Sequence, residues 1–214
     1  MSEKKFIPRL GERVPNLVFT TTQGVIRLYD ILRKGLWVLI FSHPAPFTPV
    51  CTSEFIEFAK MYEEFSRRGV FLLGLSVGSI ESQLAWIRSI KEKFNIEIPF
   101  PIVADYDMSI STMFNMYHPK EYELGAIRAT ILVDDKGIIR FISYYPNEIG
   151  RSIKEILRVI DALKYAKEHK VLIPAEWKPG DKVLAHTPSS SKEVEERLRS
   201  EKYECIDWYF CYVK

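Results

Sequence analysis

The chain alternates between short apolar runs and longer amphipathic stretches, and that alternation predicts most of its elements. Leu17–Thr20 and Val25–Leu28 flank the turn residues TTQG, a pattern for a small hairpin. Leu36–Ser42 (LWVLIFS) is continuously apolar, as expected of a strand covered on both faces. Next comes HPAPFTPVCTSEF, then a helix predicted from about Pro49 to Arg67, with Phe55, Phe58, Tyr62 and Phe65 at helical spacing on one face. Gly69–Val77 reads as a second buried strand. A helix over Ile80–Phe94 follows, with Leu84, Ile87, Ile90 and Phe94 expected inward. Pro99, Phe100 and Pro101 interrupt the chain before a short strand at Ile102–Val103. Ile127–Val133 and Gly137–Tyr145, joined at DDKG, read as an antiparallel pair. A helix over about Gly150–Ala166 then places Ile153, Ile156, Leu157, Ile160 and Leu163 on one stripe. Strands that alternate with helices and close on a hairpin and a helix predict an α/β fold with a mixed sheet.

The pattern changes after Lys170. VLIPAEWKPGDKVLAHTPSSS is rich in proline and serine, and SKEVEERLRSEKYE is at most a short charged helix with a solvated face. The final YECIDWYFCYVK is apolar enough to require cover, for which a partner subunit is the expected source. We therefore expect a main domain over 1–168 and a C-terminal extension over 169–214.

Composition narrows the function. With 30 Lys and Arg against 28 Asp and Glu, and no basic stripe, nucleic acid is not an expected partner. The charged N-terminus lacks the apolar stretch of a signal peptide, and no apolar run approaches a membrane span. A soluble, cytoplasmic protein is expected. Only two glutamines accompany many Glu, Lys and Arg, a bias that leans towards a thermophile. The three cysteines, Cys51, Cys205 and Cys211, form no CxxC pair, and no clustered His/Cys spacing suggests a metal site.

Cys51 is the thiol with an informative setting. Thr48 and Pro49 form a helix start, a hydroxyl residue at the N-cap and proline at the first helical position. Cys51 then falls in the first turn, where unpaired N–H groups and the helix dipole favour the negative charge of a reactive thiolate. It lies four residues before Phe55, on the inward face, so the thiol should be recessed. Pro44, Pro46 and Pro49 stiffen the loop in front of it. Against this stands the ordinary reading of a lone cysteine on an apolar face as a small hydrophobe.

These residues resemble a known family. Pro44, Thr48 and Cys51 match the PxxxTxxC motif of the peroxiredoxins, and HPxxFTPVCTxE is similar to their one-cysteine, peroxiredoxin-6-type branch. Arg128, entering IRATILVDD, matches the family's active-site arginine. The helix GRSIKEILRVIDAL and the segment IPAEWKPGD resemble later motifs of the same branch, so the likeness covers nearly the whole chain. It implies a thioredoxin-like fold, with a mixed central sheet flanked by helices, and a thiol-dependent peroxidase needing no cofactor. Hydrogen peroxide and organic hydroperoxides are the implied substrates, with Cys51 forming a sulfenic acid. By the same resemblance Thr48 would bind peroxide and thiolate, Pro44 would shield the site and Arg128 would stabilise charge. Glu54 and Arg151 would orient Arg128, and His43 would either tune the site or be structural. A thioredoxin-like protein or a small thiol is the implied reductant, and a homodimer or a ring of dimers (a decamer) the implied assembly.

Three alternatives for the tail cysteines stay open. In the favoured one Cys205 resolves Cys51 of a neighbouring subunit, with Cys211 a less favoured candidate for that part. In the second the two pair with each other, and in the third both are inert. Two rival functions also stand. Gly74-Leu75-Ser76-Val77-Gly78 fits the GxSxG of a serine hydrolase, with Asp105 or Asp134 and His118, His169 or His186 as conceivable partners. A chaperone-like ring with secondary peroxidase activity is the other.

Overall fold

A computed structural model describes residues 6–214. Its contacts divide the chain into two compact units, the first running to Ile153 and the second spanning Lys154–Lys214.

In the first unit, β1 (Val18–Thr21) and β2 (Gly24–Arg27) form the expected hairpin, followed by the short helix α1 (Leu28–Leu32). All six residues of β3 (Trp37–Ser42) are buried, as a run with no polar face requires. Helices α2 (Pro49–Lys60) and α3 (Tyr62–Arg67) replace the single helix expected over 49–67. The break falls at Met61, whose ψ of 6° leaves the helical region and lets its carbonyl accept from both Glu64 and Phe65. Phe55, Phe58 and Phe65 are nonetheless buried on the expected side.

Strand β4 (Val70–Ser76), helix α4 (Ile80–Phe94), strand β5 (Ile102–Ala104) and helix α5 (Ser109–Met113) come next. Strands β6 (Arg128–Val133) and β7 (Ile139–Tyr145) then complete a seven-stranded mixed sheet, ordered β2-β1-β5-β4-β3-β6-β7. Strands β3, β4 and β5 are parallel, and the remaining pairs are antiparallel. The arrangement is the thioredoxin-like fold. Strand β3 therefore lies inside the sheet, between β4 and β6, and its C-terminal end delivers the chain to the loop before Cys51.

Helix α4 has the expected bounds but not the expected face. Ser79 caps its start and Asn95, at φ 55°, ends it. The buried residues are Gln83, Trp86 and Ile90, while Leu84 (46% exposed) and Phe94 (55%) point outward. The two stripes are one residue apart and share Ile90, so helical periodicity alone separates them poorly. Tertiary partners decide. Trp86 enters an aromatic cluster with Phe55 at 4.6 Å, and the Gln83 amide donates to Ser76 Oγ at 2.5 Å.

The second unit holds helix α6 (Ile153–His169) from its second residue on, and a separate three-stranded sheet, ordered β8-β10-β9, from β8 (Val183–Leu184), β9 (Tyr203–Asp207) and β10 (Phe210–Val213). Helix α7 (Ser191–Arg199) is the charged segment and has no buried residue. Val171, Trp177 and Val183 form a small core with Tyr165. The apolar tail is thus a β9–β10 hairpin, which the sequence pattern does not indicate. Cys205 faces Cys211 across it and the two are disulfide-bonded.

Candidate active site

The site is built where β3 ends and α2 begins. After Ser42 the chain passes through His43 and Pro44, both buried, to Phe47, whose φ of 59° is unusual for a bulky residue and which is 58% exposed. Thr48 is extended and Pro49 opens α2, as expected, but Thr48 does not cap the helix with its side chain. Its hydroxyl donates instead to the Ala45 carbonyl at 3.0 Å, closing the loop on itself. The first turn of α2 is consequently left without a side-chain cap. Cys51, at the third helical position, is fully buried and carries a free thiol.

Arg128, at the first position of β6, reaches this thiol. Its Nη1 lies 3.3 Å from Cys51 Sγ and 2.8 Å from Glu54 Oε2. Its Nε and Nη2 both donate to the Asn147 carbonyl, at 3.1 and 2.9 Å. Glu54 stands one turn along from Cys51 on α2 and takes both guanidinium groups. Arg151 gives it a bidentate pair at 2.7 and 2.8 Å and its own backbone N–H at 2.8 Å. The remaining Arg151 nitrogen donates to the Ala129 carbonyl at 2.8 Å, and its guanidinium stacks on Phe41 at 5.5 Å. All three side chains are almost wholly buried.

Charges this deep are tolerated only when paired and fully hydrogen-bonded. Burial pushes the Glu54 carboxyl up, but the charge and hydrogen bonds of Arg151, helped by Arg128, outweigh it and hold the group below the usual carboxylate range. Two cations share one carboxylate, so the cluster keeps a net positive charge beside Sγ. That is an environment for a thiolate and for a developing oxyanion.

His43 behaves differently. Burial, then the Arg151 charge, lowers it to about 3, against the opposing pull of Glu54. Its ring packs 4.7 Å from Phe55 and 5.1 Å from Trp86, and the Ala45 backbone is the polar group that approaches it, too poorly aligned for a full hydrogen bond. At neutral pH it is an uncharged aromatic in the wall behind the site.

Pro44, Thr48, Cys51, Glu54, Arg128, Arg151 and His43 all lie in this region of the first unit, whereas the GxSxG residues do not make a hydrolase site. Ser76 is buried, with its hydroxyl accepting from Gln83, and Gly74 leaves room for Phe55, whose ring would sit 3.3 Å from an added Cβ. Packing accounts for both residues. The tail cysteines adopt the second of the three alternatives: Cys205 and Cys211 are bonded to each other, so in this state Cys205 holds no thiol for Cys51. The reason is register, which sets the two directly opposite in one hairpin.

Sequence reasoning misses three parts of the site. The carbonyls of Asn147 and Ala45 carry no side-chain signature at all. The third is Trp86, which donates to Thr52 Oγ1 at 3.2 Å, and Thr52 in turn donates to the Thr48 carbonyl at 2.7 Å. Its only signal in the sequence is a tryptophan within a helix whose inward face periodicity misplaces. Among the described residues no group of His, Cys, Asp and Glu is placed to hold a metal.

Known proteins share this arrangement of sequence and fold. Residues 10–142 match the AhpC/TSA family, and residues 162–201 match the C-terminal domain of 1-Cys peroxiredoxin. A peroxiredoxin of Aquifex aeolicus is 47% identical over 96% of this chain and 96% of its own. One from Methanocaldococcus jannaschii is 44% identical over 97% and 99%. The structure of a yeast mitochondrial 1-Cys peroxiredoxin superposes with a TM-score of 0.85 at 36% identity, covering 97% of this chain and 99% of that one. A cysteine-to-serine mutant of the peroxiredoxin 6 of Arenicola marina gives 0.84 at 30% identity, covering 96% and 97%. This chain belongs to the peroxiredoxin family, with the C-terminal domain of its one-cysteine members, and is a thiol-dependent peroxidase.

Proposed function

We propose that Cys51 is the peroxidatic nucleophile, acting on hydrogen peroxide and organic hydroperoxides. The Cys51 thiolate attacks the terminal peroxide oxygen. A sulfur–oxygen bond forms, the O–O bond breaks, and the leaving oxygen departs as alkoxide or hydroxide and is protonated to alcohol or water. The observation that carries this reading is the Arg128 guanidinium, 3.3 Å from Sγ and braced by Glu54 and Asn147. There it faces the attacking sulfur and meets the charge moving onto the leaving oxygen. The uncapped first turn of α2 supplies further N–H donors for peroxide oxygens, and the Thr48 hydroxyl, its own proton given to the Ala45 carbonyl, is an acceptor for the peroxide hydrogen. Pro44 closes the pocket from the loop side, and Glu54 with Arg151 keeps Arg128 aimed. His43 serves as packing in this reading.

The sulfenic acid is returned to thiolate by two thiol equivalents, with release of water and a disulfide. While Cys205 and Cys211 are bonded to each other, the reductant is an external thiol, of thioredoxin type or small. The protein works as a homodimer assembled into a ring of dimers in the cytoplasm, readings that rest on the family's resemblance. No described helix is long and apolar enough to cross a membrane.

Mass spectrometry after one equivalent of peroxide tests the chemistry. The expected product is a sulfenic acid on Cys51, trapped by dimedone, with Cys205–Cys211 intact. A Cys51–Cys205 disulfide between subunits would replace the external thiol by the tail cysteine.

A further inference from the structure

The loop between α5 and β6, residues 114–127, reaches the Pro44 backbone and, through Asn147, Arg128, and the chemistry above makes no use of it. Its ends are anchored in the core through Phe114, Met116, Ala126 and Ile127, all buried. Between those anchors it is held by its own bonds, Tyr122 N–H to the His118 carbonyl at 2.9 Å and Tyr117 hydroxyl to the Glu123 carbonyl at 3.1 Å.

Two contacts leave this loop for the site. The first is at Gly125, which is buried. A Cβ there would stand 2.6 Å from the Pro44 carbonyl oxygen and 3.0 Å from the Tyr122 ring. The obstacle is backbone, which cannot swing aside as a flexible side chain would. The Gly125 φ is not positive, so the requirement is for space. The second contact is at Glu121, which is exposed. Its Oε1 accepts the Asn147 backbone N–H at 2.9 Å. The carbonyl of that same Asn147 takes the Nε and Nη2 of Arg128. One loop thus abuts Pro44 on one side and, through Asn147, holds Arg128 on the other.

We infer that Gly125 and Glu121 are positioning residues for peroxide reduction, setting the separation between the Pro44 backbone and Arg128, which contacts Cys51. This rests on Cys51 being the peroxidatic thiol. Neither residue touches the reacting atoms. A displacement of a catalytic group by about 1 Å can cost on the order of a hundredfold in rate. An alanine at 125 requires a shift of that order between the loop and Pro44.

Stopped-flow measurement of the second-order rate of Cys51 oxidation by hydrogen peroxide tests this in the full chain. Glu121→Ala, Glu121→Gln and Gly125→Ala are compared with the parent, each checked for an unchanged thermal midpoint. Glu121→Ala and Gly125→Ala are expected to slow oxidation about tenfold or more. Glu121→Gln keeps an oxygen to accept the Asn147 N–H and is expected to stay within about twofold. That rescue separates positioning from loss of a surface charge. Parent-like rates in both alanine variants would overturn the inference, and so would Glu121→Gln falling as far as Glu121→Ala. If Gly125→Ala does not fold, the Glu121 pair still decides. Failure of the underlying reading looks different: Cys51 of the parent would then not be oxidised by peroxide at all.

Discussion

Residue by residue, the site is a short chain of dependence that ends at one sulfur. Cys51→Ser should abolish peroxide consumption, measured by loss of peroxide with a dithiol reductant. Arg128→Met removes the guanidinium that contacts Sγ and should slow Cys51 oxidation by about a hundredfold or more, by analogy with losing a transition-state donor. Glu54→Gln leaves two buried cations with a weak partner and should cost about 3–5 kcal/mol in urea unfolding. Acid should weaken the fold in two steps. His43, at about 3 when folded, is charged first in the unfolded chain. Its contribution is therefore complete above the unfolded value near 6.5 and drains away as pH falls towards 3. Glu54, held low, adds stability above its ordinary value near 4.5 and loses it as pH falls further. His43→Phe should flatten the pH dependence of unfolding between about 6.5 and 4 by one proton. An unchanged slope would contradict the buried, uncharged histidine.

At the scale of elements, α2 and α4 form a unit behind the thiol, joined by Trp86 to Thr52 and by the packing of Trp86 on Phe55. The outward turn of Leu84 and the inward turn of Trp86 give opposite expectations for two nearby apolar residues. Trp86→Ala should cost about 3–5 kcal/mol, as large core truncations do. Leu84→Ala should cost under about 1 kcal/mol, because its side chain is half exposed. Equal losses in denaturant would show that the face of α4 is misassigned. Hydropathy could not choose between these stripes, because the hydrophilic Gln83 is buried by a hydrogen bond to Ser76 that only the neighbouring strand supplies.

For the whole molecule, Cys51 and the disulfide of the tail belong to different compact units. The Cys205–Cys211 bond closes a loop with a sequence separation of only 6, so its chain-entropy contribution is small, about 2 kcal/mol, and local to the β9–β10 hairpin. A Cys205→Ser, Cys211→Ser double variant should therefore keep its rate of peroxide consumption with an external thiol within about twofold. A loss of tenfold or more would make the tail cysteines part of the cycle. Ile206 and Tyr209, near the hairpin's tip, are 77% and 56% exposed in the single chain. Light scattering of the intact protein would count the copies and test the proposed ring of dimers.

The order of strands and helices, the buried character of β3 and the helix start at Thr48–Pro49 are legible in sequence, because each depends on local pattern and backbone preference. Cys51, Thr48, Pro44, Arg128, Glu54 and Arg151 are also legible, because a family motif marks them by residue type. What needs tertiary structure is everything set by a partner distant in the chain. That includes which face of α4 turns inward, where the Thr48 hydroxyl points, and the pairing of Cys205 with Cys211 rather than Cys51. It includes, too, the peptide of Asn147 that holds Arg128. Backbone carbonyls and strand registers leave no mark on residue identity, so only the folded chain brings them to the thiol.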